Sequence, residues 1–154
     1  MGYPAIEEVF ALRIEGDAPE NQPLEMVKRE GYDRPMKWKH AGSTVNGRQA
    51  CRFKLVCLEA RGTAEDLAPP RTFEEVRSEL ASHGRIPEGQ WRMAYKAAYP
   101  ECDGKGPVGI ADPSWQDSSG SLFFPCVDWR GRSDLASTAE GFDLYWRWLV
   151  EVND

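Results

Sequence analysis

Four aspartates punctuate the second half of the chain at loop-like positions: Asp103, Asp112, Asp117 and Asp128. A carboxylate placed just after a strand can serve as a general acid or base, and Asp112 directly follows the short apolar run 108–111. A small hydrolase or transferase built on loop carboxylates near Asp112 is therefore one reading. The same residue opens Asp112-Pro113-Ser114, a common way to begin a turn, and the turn is the preferred account. The spacing of the aspartates does not match a calcium loop. Gly104-Lys105-Gly106 lacks the spacing of a phosphate loop, and Pro107 follows it.

The chain has only two histidines, the usual acid–base groups near neutral pH. His40 falls on an apolar face, and His83 falls at a helix C-terminus, where an imidazolium complements the helix dipole. A serine or cysteine nucleophile thus has no visible base. Cys51, Cys57, Cys102 and Cys126 form no C-x-x-C pair, which argues against structural zinc. Cys51 and Cys57 share a strand face with Phe53 and Leu55 and read as small core hydrophobes. A disulfide framework is not expected in a chain long enough to build a core. No catalytic set, no metal site and no cofactor is expected, and the balance leans away from an enzyme.

Basic residues offer the more specific lead. KWKHAGSTVNGRQACRFK holds Asn46-Gly47 between two alternating runs, the pattern of a β-hairpin with a two-residue turn. That turn predicts a hairpin over 36–58, with Met36 facing Cys57, Trp38 facing Leu55 and His40 facing Phe53. These six would be buried. The opposite face would carry Lys37, Lys39, Arg52 and Lys54, with Lys39 directly opposite Lys54. Facing like charges are destabilising on a sheet, so the pair calls for solvent, acidic groups of the same chain, or an external anion. Residues 24–61 hold nine basic and four acidic side chains, a net of +5, which leaves −11 for the rest of a chain whose net charge is −6. Trp129-Arg130-Gly131-Arg132 sets two arginines beside an aromatic on a loop, a second place where an acidic partner or nucleic acid could bind, although a solvated turn is the preferred account.

Around these residues the sequence predicts an α+β fold with a mainly antiparallel sheet. Phe10, Leu12 and Ile14 alternate with Arg13 and Glu15, as in a half-buried strand. Pro23 is placed to open a short helix that Gly31 closes. Thr72 and Glu75 form a capping box for a helix over about 72–83, with Phe73, Val76 and Leu80 on its buried stripe. A second helix spans about 87–99, with Trp91, Ala94, Tyr95 and Ala98 at helical spacing. Both helices are expected on one face of the sheet. LFFPCV reads as a strand, with Pro125 at an edge or bulge. The alternation of Phe142, Leu144, Trp146, Trp148, Val150 and Val152 predicts a strand packed on the core. The organisation expected is one domain over 1–154: an N-terminal β part (1–60), a linker (61–71) and a C-terminal ααβ part (72–154).

At 154 residues, with 41% hydrophobic and 29% charged residues, the composition is that of an ordinary globular chain. No apolar run approaches the roughly 20 residues of a bilayer span. The start MGYPAIEEVF lacks the pattern of a signal peptide, and Ile6 breaks the myristoylation pattern. A cytoplasmic protein is expected.

The stretches IPEGQWRMAYKAAYP, GPVGIADPSW, FPCVDWRGRSD and YWRWLVEV resemble small accessory proteins of phages and prophages in proteobacteria. The resemblance covers only the second half of the chain and carries no functional residue across. It implies a class of role, in which such a protein binds a host protein, including a defence protein, and inhibits or redirects it; the location would then be the host cytoplasm. The leading expectation is a non-enzymatic binding protein with a protein partner. Lys37, Lys39, Arg52, Lys54, Trp129, Arg130 and Arg132 are its candidate contacts. Nucleic-acid binding through the basic hairpin face is a further alternative, disfavoured by the net negative charge.

Overall fold

A computed structural model describes residues 2–29, 37–59 and 70–152. The expectations for Gly31, for Met36 and for most of the linker lie outside these residues. The fold is α+β. Among the described residues, eight strands form one mixed, mainly antiparallel sheet, accompanied by three helices and one 3-10 turn. The strands are β1 (Phe10–Glu15), β2 (Lys39–His40), β3 (Arg48–Val56), β4 (Val108–Gly109), β5 (Trp115–Gln116), β6 (Leu122–Val127), β7 (Ser133–Ser137) and β8 (Arg147–Glu151). The helices are α1 (Pro23–Arg29), α2 (Phe73–Leu80) and α3 (Trp91–Ala98). The sheet order is β1-β3-β8-β4-β6-β5-β2, with β7 on the other side of β6. β4 and β8 run parallel.

Local patterns set several elements as expected. β1 buries Phe10, Leu12 and Ile14 and exposes the residues between them. Thr72 accepts a hydrogen bond from the Glu75 N–H while the Thr72 N–H donates to the Glu75 carboxylate, the reciprocal cap that starts α2. α3 begins at Trp91 rather than Pro87, because 87–90 are spent in a turn closed by the Trp91 N–H to the Glu88 carbonyl.

The 36–58 hairpin does not form. β2 pairs with β5, and β3 pairs with β1 on one side and β8 on the other. Facing residues of β1 and β3 run from Phe10↔Phe53 to Glu15↔Arg48. The reason lies in the turn. A two-residue type I′ hairpin needs positive φ at both central residues. Gly47 has φ 66°, but Asn46 does not lie in the left-handed region. Gly47 instead swings the chain beside β1, where the Gly16 N–H donates to its carbonyl at 2.7 Å. The preceding Val45 is buried, and its N–H donates to Gln90 Oε1 at 2.8 Å.

The helices pack on opposite faces of the sheet, not on one. Adjacent residues of a strand point to opposite faces. Leu149 belongs to the cluster around Trp91 and Tyr95 of α3, with Phe53, Leu55 and Val127. Trp148 and Val150 belong to the cluster around Phe73, Val76 and Leu80 of α2, with Val56 and Phe124. β8 is therefore buried on both sides. It is also shorter than expected: Leu144 lies in a turn and is exposed, because the Asp143 carboxylate accepts the Tyr145 N–H and bends the chain there.

Pro125 lies inside β6, a strand with neighbours on both sides, rather than at an edge. Its carbonyl accepts the Ile110 N–H at 3.0 Å. Its nitrogen therefore faces the same way, toward the gap between β4 and β5. There the Ile110 carbonyl is taken by the Asp112 N–H and residues 111–113 lie outside the strands, so no donor from Pro125 is needed.

Candidate functional site

The basic face expected on the hairpin is dispersed. Lys39 lies on β2, at the far end of the strand order from β1 and from β3, which carries Arg52 and Lys54. Lys37 and Lys39 are exposed. Lys54 sits opposite Val150 of β8, and its Nζ donates to Glu7 Oε1 at 2.7 Å. Of the six residues assigned to the buried face, Phe53 and Leu55 are buried, Trp38, His40 and Cys57 are half-buried, and Met36 lies outside the described residues. His40 packs edge-on against Trp115, with ring centroids 4.5 Å apart.

Trp129, Arg130 and Arg132 fall together on the turn joining β6 to β7. Asp128 builds that turn: its Oδ1 accepts the N–H groups of Arg130 and Arg132, both at 2.9 Å, and Gly131 takes φ 81°. Arg132 pairs with Asp128 at 3.2 Å. Arg130 is exposed and forms no ion pair among the described residues. The Trp129 ring meets Tyr145, with centroids 5.5 Å apart. Both rings face solvent, Trp129 at 47% exposure and Tyr145 at 61%, and Leu144 beside them is 50% exposed. Leu144 and Tyr145 also line a cleft of about 420 Å³ with Ile6 and Lys105, floored by Tyr3 and Arg147. Tyr145 and Leu144 escaped the sequence reading because alternation assigned them to a strand; Asp143, a turn former two residues before Tyr145, was the available signal.

The floor of this cleft is held by charge. Arg147 is buried and donates to both oxygens of Asp103, at 2.6 and 2.9 Å, and to the Gly106 carbonyl at 2.6 Å. Hydrogen bonds from Arg147 hold the Asp103 carboxyl below its ordinary value. Burial pushes the Tyr3 phenol up to about 12.

Asp112 occupies a different place. Its Oδ2 accepts the Gly89 N–H at 2.7 Å, and its Oδ1 accepts the Ser114 hydroxyl. It fastens the 112–114 loop to the turn before α3, so it does more than open a surface turn. Gly89 is required at this junction, since a Cβ there would come within 2.5 Å of the Trp115 ring. A second cleft, about 310 Å³, opens beside Asp112 and includes Arg77, Arg85, Glu88, Ser43 and Ser114. Asp117 and Asp128 accept backbone N–H groups of their own turns.

No nucleophile–base pair is assembled among the described residues. The Ser114 hydroxyl donates to Asp112 rather than to an imidazole, and His40 Nε2 is shielded without a hydrogen-bond partner. Burial lowers the His40 pKa and raises that of the Cys57 thiol. His83 is exposed in the turn after α2. None of the four cysteines forms a disulfide. Among the described residues no group of three or more His, Cys, Asp or Glu could hold a metal ion, and no helix is long and apolar enough to cross a membrane.

No family model matches the chain, and no curated protein or solved structure was found to match it.

Proposed function

We propose that this chain is a non-enzymatic binding protein that docks a protein partner through the surface formed by Trp129, Tyr145 and Leu144. The observation that carries the reading is the exposed Trp129–Tyr145 pair, whose two turns are each pinned by an aspartate. Tryptophan, tyrosine and arginine dominate the residues on which protein interfaces depend, and side chains held in place before contact lose less entropy on binding. Arg130 flanks the pair on one side. Lys105 lines the adjoining cleft, and no carboxylate among the described residues pairs with its ammonium group. A partner suited to this surface presents an apolar segment next to acidic residues. The phage-type accessory role, inhibition or redirection of a host protein, is consistent with such a surface.

The alternatives have less to stand on. Nucleic-acid binding was tied to a hairpin face whose four basic residues lie at opposite ends of the sheet. The carboxylate enzyme was tied to Asp112, both of whose oxygens are engaged in holding the fold.

The test is affinity purification from host cells with the wild-type chain and with Trp129→Ala/Tyr145→Ala. The expected result is one partner recovered by the wild type and lost with the variant, while the melting temperatures of the two chains stay close. Equal recovery by both chains, or turnover of a small molecule with no partner recovered, would count against the proposal.

A further inference from the structure

We propose that the cleft between α2 and the 112–114 loop binds a small organic oxyanion, a phosphate or carboxylate group held by Arg77 with its organic body against Ile86 and Pro113. This site shares no lining residue with the aromatic surface.

The argument starts from which charges in the cleft are already taken. Arg85 donates to Glu88 at 2.8 Å and also to Glu151. Those contacts raise its pKa above the ordinary value, led by the Glu88 hydrogen bond. Asp112 accepts from Gly89 and Ser114, so neither of its oxygens is left without a donor. Glu88 is committed to Arg85. That leaves Arg77. Its Nε is shielded from solvent with no hydrogen-bond partner, and no carboxylate among the described residues pairs with it.

Arg77 lines the cleft and no carboxylate among the described residues neutralises it, so its charge is available to an anion bound there. The guanidinium fork is suited to planar or tetrahedral oxyanions, which accept two N–H groups at once. Ser43 and Ser114 add hydroxyls to the same lining, and Ile86, Pro87 and Pro113 add apolar wall. A cleft of about 310 Å³ is at the small end of the range for ligand sites. It suits a compact phosphorylated or carboxylated molecule better than a nucleotide.

The experiment is thermal denaturation of the full chain in a buffer free of polyvalent anions. Inorganic phosphate or succinate is titrated in, and sodium chloride matches the ionic strength. Saturable stabilisation by phosphate alone assigns a phosphate group, and by succinate alone a carboxylate. In Arg77→Met the apparent dissociation constant should rise at least tenfold, whereas Arg13→Met, at an exposed position of β1 away from the cleft, should behave as wild type. The unaltered chain gives a second readout: phenylglyoxal modification of Arg77, followed by peptide mass spectrometry, should slow severalfold when the anion is present, with Arg130 unaffected. Stabilisation no greater than that of chloride, or an equal rate of Arg77 modification with and without anion, overturns the proposal.

Discussion

Arg147 grips Asp103 through two side-by-side hydrogen bonds, 2.6 and 2.9 Å long, on the floor of the cleft beside the exposed aromatic pair. The contact joins residues 44 apart in the chain. It anchors the loop after α3 to the start of β8, and the Arg147 guanidinium lies 5.1 Å from the centre of the Tyr3 ring. Removing one partner of a buried ion pair leaves the other charge uncompensated, which costs roughly 3–5 kcal/mol. Asp103 keeps some solvent contact, with 19% of its side chain exposed, so Asp103→Asn should fall at the lower end, about 3 kcal/mol. Urea denaturation measures it. Arg147→Met combined with Asp103→Leu should be less destabilised than the two single changes added together. Strict additivity would mean that the pair is not coupled.

His40 gives the fold a pH dependence of definite sign. Its pKa is lowered by burial against Trp115, with the Asp112 charge opposing. A histidine whose folded pKa lies below its unfolded value of about 6.5 takes up a proton more readily in the unfolded chain. Between those two pKa values the unfolded state binds more protons, so stability rises with pH. The contribution is complete above about pH 6.5 and is lost as the pH falls toward the folded value. The melting temperature of the wild type should therefore drop between pH 7 and pH 5 by more than that of His40→Gln. Parallel profiles would remove His40 as the source.

The 46–47 turn separates the two possible registers. In a type I′ hairpin both Asn46 and Gly47 would need left-handed backbone. Here only Gly47 does, with φ 66°. Gly47→Ala should cost about 1–2 kcal/mol, the penalty of a Cβ in that region. Asn46→Ala should stay within about 0.5 kcal/mol of wild type, as for an unremarkable surface position. Chemical denaturation of the two variants distinguishes these outcomes, and a comparable loss for both would indicate the hairpin after all.

Much of the architecture could be read from local pattern, and the failures share one cause. The alternation in Phe10, Leu12 and Ile14 and the Thr72–Glu75 cap are satisfied by residues within a turn or two, so the sequence carried them directly. Strand partnership is not local. The alternation in Arg48–Val56 fits β1 as well as it fits 37–45, and only the backbone at Asn46 chooses between them. The same limit applies to helix placement: Trp148 and Leu149 are both apolar, so nothing in the pattern showed that each supports a different helix. Trp129 and Arg130 were visible as an aromatic beside a charge on a loop. Arg77 was not, since a helical arginine next to the buried stripe ordinarily faces water, and only the tertiary fold shields its Nε.

The strand order also sets a schedule for assembly. β8 lies between β3 and β4, although it follows all the other described strands in sequence. Without it, the β1·β3 pair and the group of β2 with β4–β7 are two separate ribbons with unsatisfied inner edges, and the apolar residues that α2 and α3 cover have no common floor. Pairings this distant in sequence close slowly, and open edges of β-sheet are templates for pairing with other chains. Until β8 pairs, the inner edge of β3 is an open template, so a change that delays the β3–β8 pairing should raise aggregation during refolding.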